Sequence, residues 1–157
     1  MSASSVLEFK RLSESNLNVI SELHALFPHW KVLSVQKKIS ATLNGKDVRF
    51  VALLDGKIIA HIRFIYPKGL HKHRVELTSL VVHPKHRHEG VARGLMSFAI
   101  SCLSKGKWLL TLEVSTKNKP AISLYKKLGF TKYGLLRKAS IVSGKSVDNI
   151  LMKKELK

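Results

Sequence analysis

Apolar residues recur along the chain in two periods. Leu17, Ile20, Leu23, Leu26 and Phe27 are spaced by three and four. That spacing predicts a helix from about Glu14 to Phe27 with one buried face, capped by Ser13 or Ser15 and stopped by Pro28. Val35–Leu43 predicts a second, shorter helix, ended by Asn44-Gly45. Strands are predicted over Val6–Arg11, Val48–Leu54 and Lys57–Tyr66, and Asp55-Gly56 between the last two is the strongest hairpin signal present. Pro67–Lys72 predicts a loop and Val75–Val82 a strand closed by Pro84. Val91–Ser104 predicts a helix with Leu95, Phe98, Ala99 and Cys102 along one side. A strand follows over Trp108–Val114, then a helix over Pro120–Leu128 between Asn118 and Gly129. Tyr133–Ile141 and Val147–Lys153 predict a last hairpin around Ser143-Gly144.

This order, with no internal repeat, low-complexity tract or linker, predicts one α/β domain. Its core would be a mixed, mostly antiparallel, twisted sheet of about six or seven strands with helices on both faces. Composition narrows the class. The chain has 157 residues, 45% of them hydrophobic. That suits a single domain and excludes a disordered polycation. One cysteine, Cys102, excludes an intrachain disulfide framework and suits a reducing cytoplasm. The first ten residues lack a basic segment followed by an apolar core, so no signal peptide is expected, and no stretch approaches a membrane span. Against 28 Lys and Arg stand 10 Asp and Glu, a formal charge of +18. Such a charge attracts phosphate-bearing partners: nucleic acid, anionic membrane or a phosphorylated small molecule.

The chemistry concentrates in Leu80-Val-Val-His-Pro-Lys-His-Arg-His-Glu-Gly-Val-Ala-Arg-Gly-Leu95. A buried strand runs into a basic loop and then a helix. A helix's first turn carries unpaired N–H groups and partial positive charge, which suits a phosphate. Gly90 removes the Cβ that would hold a ligand oxygen away, Ala92 keeps the next turn small, and Arg87 and Arg93 add cations. The amides between Lys85 and Ala92 form the expected nest. An ordinary βα turn that needed glycine fits the same residues. Neither a P-loop nor a Rossmann fingerprint is present. A second stretch, Leu112-Glu-Val-Ser-Thr-Lys-Asn-Lys-Pro-Ala-Ile-Ser-Leu-Tyr-Lys-Lys-Leu-Gly-Phe130, ends a strand at Asn118 and brings Tyr125 round before Gly129-Phe130.

With both stretches in this order, the sequence resembles the GCN5-related N-acetyltransferase (GNAT) superfamily, strongly over Val75–Phe130 and weakly in the N-terminal third. The resemblance implies an acyltransferase of the GNAT fold that uses acetyl-CoA as donor, with no metal. It implies that Arg87, His88, Glu89, Gly90, Val91, Ala92 and Arg93 hold the pyrophosphate, mostly through backbone amides. Leu80, Val81 and Val82 would lie beside the pantetheine arm, on a strand that splays from its neighbour. Asn118 and Tyr125 match the family's Asn and Tyr. Ala92 stands where many members have glycine, and His88-Glu89 where basic residues or glycine are common.

Transfer to an amine needs a base, donors for the oxyanion and an acid for the departing thiolate. Tyr125 is the expected acid, although a ring packed under the Gly-Phe turn fits it too. Glu76 and Glu113 are the expected bases, Glu76 marginally ahead. Each has a plain structural alternative: Glu76 paired with Arg74 or Arg63, Glu113 with a nearby lysine. The Val82 N–H is the expected oxyanion donor. Among His71, His73, His83, His86 and His88, surrounding cations repel a divalent metal, so a solvated, phosphate-facing loop is expected. Lys117 and Lys119 could reach the 3′-phosphate of CoA. His24, Phe27, His29 and Trp30 fall where the family builds its acceptor site.

The expected activity is thus direct acetyl transfer in a ternary complex, in the cytoplasm. The acceptor would be a small neutral or acidic amine, or a protein amine. The alternative is a basic module of the same fold that holds nucleic acid or ribosome without turnover. The family is often dimeric, which admits a homodimer; no membrane partner is expected.

Overall fold

The computed structural model describes residues 5–12, 26, 47–103 and 106–156. The expected helices over 14–27 and 35–43 fall outside this set, except Leu26, which is helical and buried. So do His24, Phe27, His29 and Trp30. The described residues form seven strands: β1 (Leu7–Arg11), β2 (Asp47–Leu54), β3 (Lys57–Ile65), β4 (Arg74–Val82), β5 (Leu109–Ser115), β6 (Thr131–Val142) and β7 (Lys145–Glu155). Two α-helices accompany them among the described residues, α1 (Val91–Ser101) and α2 (Lys119–Lys127). The hydrogen-bonded strand order is β1-β2-β3-β4-β5-β7-β6. β4 and β5 run parallel, whereas β1–β2, β2–β3, β5–β7 and β6–β7 are antiparallel, which makes the expected mixed sheet.

The chain packs as two compact units, Met1–Tyr66 with Ser79–Leu103, and Pro67–Thr78 with Ser104–Lys157. The boundary falls inside β4. In the first unit, Leu54 pairs with Lys57 across a two-residue turn. Asp55 and Gly56 there have φ of 50° and 79°, the left-handed pair that matches strand twist. The Asp55 side chain also accepts from the Val6 N–H at 2.9 Å, tying β1 to that turn. Register puts Val48, Phe50 and Ala52 on one face with Phe64, Ile62 and Ala60, all of them buried. α1 covers this face through Val91, Leu95, Met96 and Ala99. Phe98 meets Phe50 edge-on at 6.0 Å and stacks on Phe9 at 6.0 Å. The helix ends at Ser101, three residues before the expected Ser104.

In the second unit, Leu110, Leu112 and Val114 of β5 lie on one face and are buried. The long β6–β7 hairpin turns at Ser143-Gly144, with φ of 51° and 73°. The expected Pro67–Lys72 loop contains one 3-10 turn, Gly69–His71.

Candidate functional site

The basic turn lies in the first unit, between β4 and α1. Leu80, Val81 and Val82 are half-buried and bring the chain to the loop. Pro84–His86 forms a 3-10 turn because the His83 ring accepts from the Lys85 N–H at 3.3 Å. The His86 amide goes to the His83 carbonyl and the Arg87 amide to that of Pro84. These three amides are therefore committed inside the turn, and the expected nest narrows to the residues from His88 on. His88 and Gly90 have φ of 67° and 80°. A Cβ on Gly90 would meet nothing within 4 Å, so the glycine serves backbone conformation and an open approach, not packing. The Gly94 amide bonds to the Gly90 carbonyl at 3.0 Å, so the amides of Val91, Ala92 and Arg93 point out of the N-terminus of α1. Arg87 Nε donates to the Val82 carbonyl at 3.2 Å, bracing the loop against the end of β4. Glu89, where the family resemblance leads one to expect a basic residue or glycine, lies with its carboxylate 3.2 Å from His86 Nδ1.

Glu76, Glu113, Asn118 and Tyr125 belong to the second unit. Asn118 caps α2, its Oδ1 accepting from the Ala121 N–H at 3.2 Å, with Pro120 in the first turn. Tyr125 is 7% exposed, and its ring lies 5.7 Å from that of Phe130. Its carbonyl accepts from the Phe130 N–H at 2.9 Å, so the Gly-Phe turn folds back on it. Burial pushes the Tyr125 phenol up to about 12, which keeps it protonated at neutral pH.

Glu76 and Glu113 are both exposed. Glu76 stands opposite Thr111, and Glu113 lies two residues further along the same face of β5. Neither forms the ion pair the sequence allows: among the described residues the bridges involve Glu8, Asp47, Glu89 and Glu155, and Arg63 pairs with Asp47. Glu113 instead accepts from Asn149 Nδ2 at 3.4 Å, and Asn149 Oδ1 accepts from Ser140 Oγ at 3.1 Å. Sequence reasoning missed Asn149, since only the β5–β7 register brings it opposite Ser115, beside Glu113.

A second group also went unread. On the face of β2 and β3 opposite α1, Asp47 Oδ2 accepts from Arg63 Nε at 2.5 Å and Arg49 Nη2 at 3.2 Å. Arg49 Nη1 lies 3.0 Å from His61 Nε2. A guanidinium can only donate, so His61 accepts and is neutral. Burial, then Arg49 and Arg63, push His61 down to about 3. Burial likewise lowers Arg49, with Asp47 pulling the other way. Alternation placed these charges on a strand; the pairing of Arg49 with Arg63 and of Val51 with His61 set them together.

The family model for the acetyltransferase (GNAT) family matches residues 17–130. The L-amino acid N-acetyltransferase AaaT of Escherichia coli K12 is 30% identical over 108 residues, 66% of this chain. The match spans 65% of that relative's length. An N-acetyltransferase from Staphylococcus aureus Mu50 superposes with a TM-score of 0.84 at 17% identity, covering 97% of this chain and 99% of its own. The ribosomal-protein-S18-alanine N-acetyltransferase of Escherichia coli gives 0.78 at 22%, covering 96% and 94%. So does yncA of Salmonella typhimurium, solved with its cofactor acetyl-CoA, at 18% identity over 96% and 94%. These structures share the fold, and the family model takes in both the glycine turn and the Asn-Tyr helix. The chain belongs to the acetyltransferase (GNAT) family.

Proposed function

We propose that this chain moves an acetyl group from acetyl-CoA to a primary amine by direct transfer in a ternary complex. The observation that carries this is the turn at Gly90: a left-handed glycine with open space above it, at a helix N-terminus between Arg87 and Arg93. Free amides, a helix dipole and two guanidinium groups suit a pyrophosphate, so the residues fit the donor. Leu80, Val81 and Val82 supply the apolar strand for its arm, and Lys117 and Lys119 the cations for its 3′-phosphate.

Bound acetyl-CoA supplies the activated thioester. Tyr125 holds the proton for the departing sulfur, and its depressed acidity keeps that proton in place until a thiolate develops. The amine must lose a proton as its nitrogen bonds to the acetyl carbon and the carbon–sulfur bond breaks. We assign that proton to Glu113, directly or through a water, because Asn149 and Ser140 orient its carboxylate. Glu76, on the same face of the adjacent strand, is the other candidate. The Val82 N–H donates to the acetyl oxygen.

A free amino acid is the acceptor class we favour. The relative named for that substrate shares 30% of its aligned residues, whereas the ribosomal-protein enzyme supports only the fold. The test is a thiol-release screen of amino acids and other amines, alongside melting with acetyl-CoA. Stabilisation of about 2.7 kcal/mol is expected at a hundredfold excess over Kd. Neither stabilisation nor thiol release would overturn the reading and leave the basic module without turnover. Glu113→Gln should lower kcat by about a hundredfold or more. A larger loss in Glu76→Gln would move the base to Glu76.

A further inference from the structure

We infer that one end of the second unit, formed by the 67–73 loop and Trp108, is a docking surface for single-stranded nucleic acid. Register sets Arg74 beside Leu109 and Leu109 beside Glu155, so the loop before β4, Trp108 before β5 and Leu156 after β7 meet at one end of these strands. The Trp108 N–H donates to the His73 carbonyl at 2.8 Å, and its own carbonyl accepts from the Leu156 N–H at 2.8 Å. Lys107 Nζ donates to the Lys72 carbonyl, closing the loop onto the same strand. The backbone is thus held from both sides, yet the Trp108 side chain is 66% exposed. The His73 ring lies 5.9 Å from the indole at 43°, and Leu70, in the 3-10 turn of the same loop, is 91% exposed.

A largely exposed indole on a backbone held from both sides is a stacking platform for a base, whatever its identity. Its rim is cationic. Residues 67–75 hold Lys68, Lys72 and Arg74 with His71 and His73, residues 106–112 hold Lys107, and neither segment contains a carboxylate. The neighbouring acid Glu155 is paired with Lys153 at 3.8 Å. Aromatic faces interleaved with phosphate-binding cations are what a single strand needs. An anionic membrane is disfavoured, because the apolar part is two side chains set among charges and not the continuous face of an interfacial helix. The surface also gives the +18 charge a partner that a single small polyanion does not.

The experiment is fluorescence anisotropy with a short labelled oligouridine and the full chain at several salt concentrations. Trp108→Ala should weaken binding about tenfold or more while leaving the slope of log affinity against log salt unchanged. Trp108→Phe should retain most of the affinity. Lys68→Ala with Lys72→Ala should weaken binding and flatten the slope. Unchanged affinity in Trp108→Ala would overturn the proposal. Capture by phosphatidylserine vesicles that depends on Trp108, with oligouridine affinity unaffected by the substitution, would also overturn it and give the surface to a membrane. Stabilisation of each variant by acetyl-CoA is read in parallel, so failure here is separable from failure of the acetyltransferase reading.

Discussion

Tyr125 is a packed side chain to which the proposed mechanism also gives chemistry. Its ring is clamped under the Gly-Phe turn, and that burial raises the phenol to about 12. Tyr125→Phe should keep the fold and lose about a hundredfold or more in kcat, measured by thiol release. The same shift has a stability signature. The folded value lies above the ordinary value of 10, so the neutral phenol's contribution is full below pH 10 and is lost as pH rises through about 12. Melting of the wild type should therefore fall more steeply than that of Tyr125→Phe over that interval. Gly90 offers a second residue-scale test. A side chain there meets no clash but must adopt φ of 80°, so Gly90→Ala should cost about 1–2 kcal/mol. Its KM for acetyl-CoA should rise more than its kcat falls, because the proposed function gives the turn a binding role and no part in the reaction.

Two elements carry constraints that no single residue reveals. Glycine inside a helix costs about 1 kcal/mol against alanine, so Gly94 in α1 looks replaceable. A Cβ there would sit 2.6 Å from Phe9 Cζ, because β1 packs its aromatic ring onto α1 at that point. Gly94→Ala should lower stability by about 1–3 kcal/mol despite the better helix propensity, and Phe9→Leu in the same chain should recover part of it. The β2–β3 hairpin buries Asp47 between two guanidinium groups, with His61 held neutral. Asp47→Asn should cost about 3–5 kcal/mol by denaturant unfolding, since it leaves buried Arg49 without its carboxylate. His61, held at about 3, protonates more readily unfolded than folded. Its contribution is complete above about pH 6.5 and is lost as pH falls towards 3, so His61→Gln should lose less stability than the wild type over that range. β6 is bulged at Lys132/Gly134 and Leu136/Ser140, and Lys138 turns to φ of 51° with its amide on Asp148 Oδ1 at 2.8 Å. Such bulges, with exposed Lys132, Arg137 and Lys138, discourage strand-to-strand pairing of two copies.

At the scale of the molecule the dominant quantity is charge. A net +18 repels cationic ligands, attracts acidic ones and leaves neutral ones without a net pull. Initial rates at low salt should rank neutral and acidic amino acids above spermidine and Lys-rich peptides. Added salt should narrow the gap. Spermidine as the best acceptor at low salt would refute this. Among the described residues no helix is long and apolar enough to cross a membrane.

What could be read from the sequence was local. Strand and helix periods, the Asp55-Gly56 turn, the Gly90 turn and the Asn118 cap all depend on residues within a few positions of one another, so their spacing encodes them. The β2–β7 and α1–α2 boundaries fell within a few residues of expectation for that reason. The rest depends on register. Asn149 reaches Glu113, Arg49 meets Arg63 and His61, and Phe9 closes over Gly94 only because strands distant in sequence are paired and stacked. The same holds for Trp108, an apolar strand-starting residue by pattern, which the fold leaves open to solvent at the strand ends. By itself the sequence determined the strands and helices of the described residues, the charge and the glycine turn before α1. Only tertiary structure decided which polar groups are buried together and which aromatic face is uncovered, because pairing partners and burial are properties of the packed sheet.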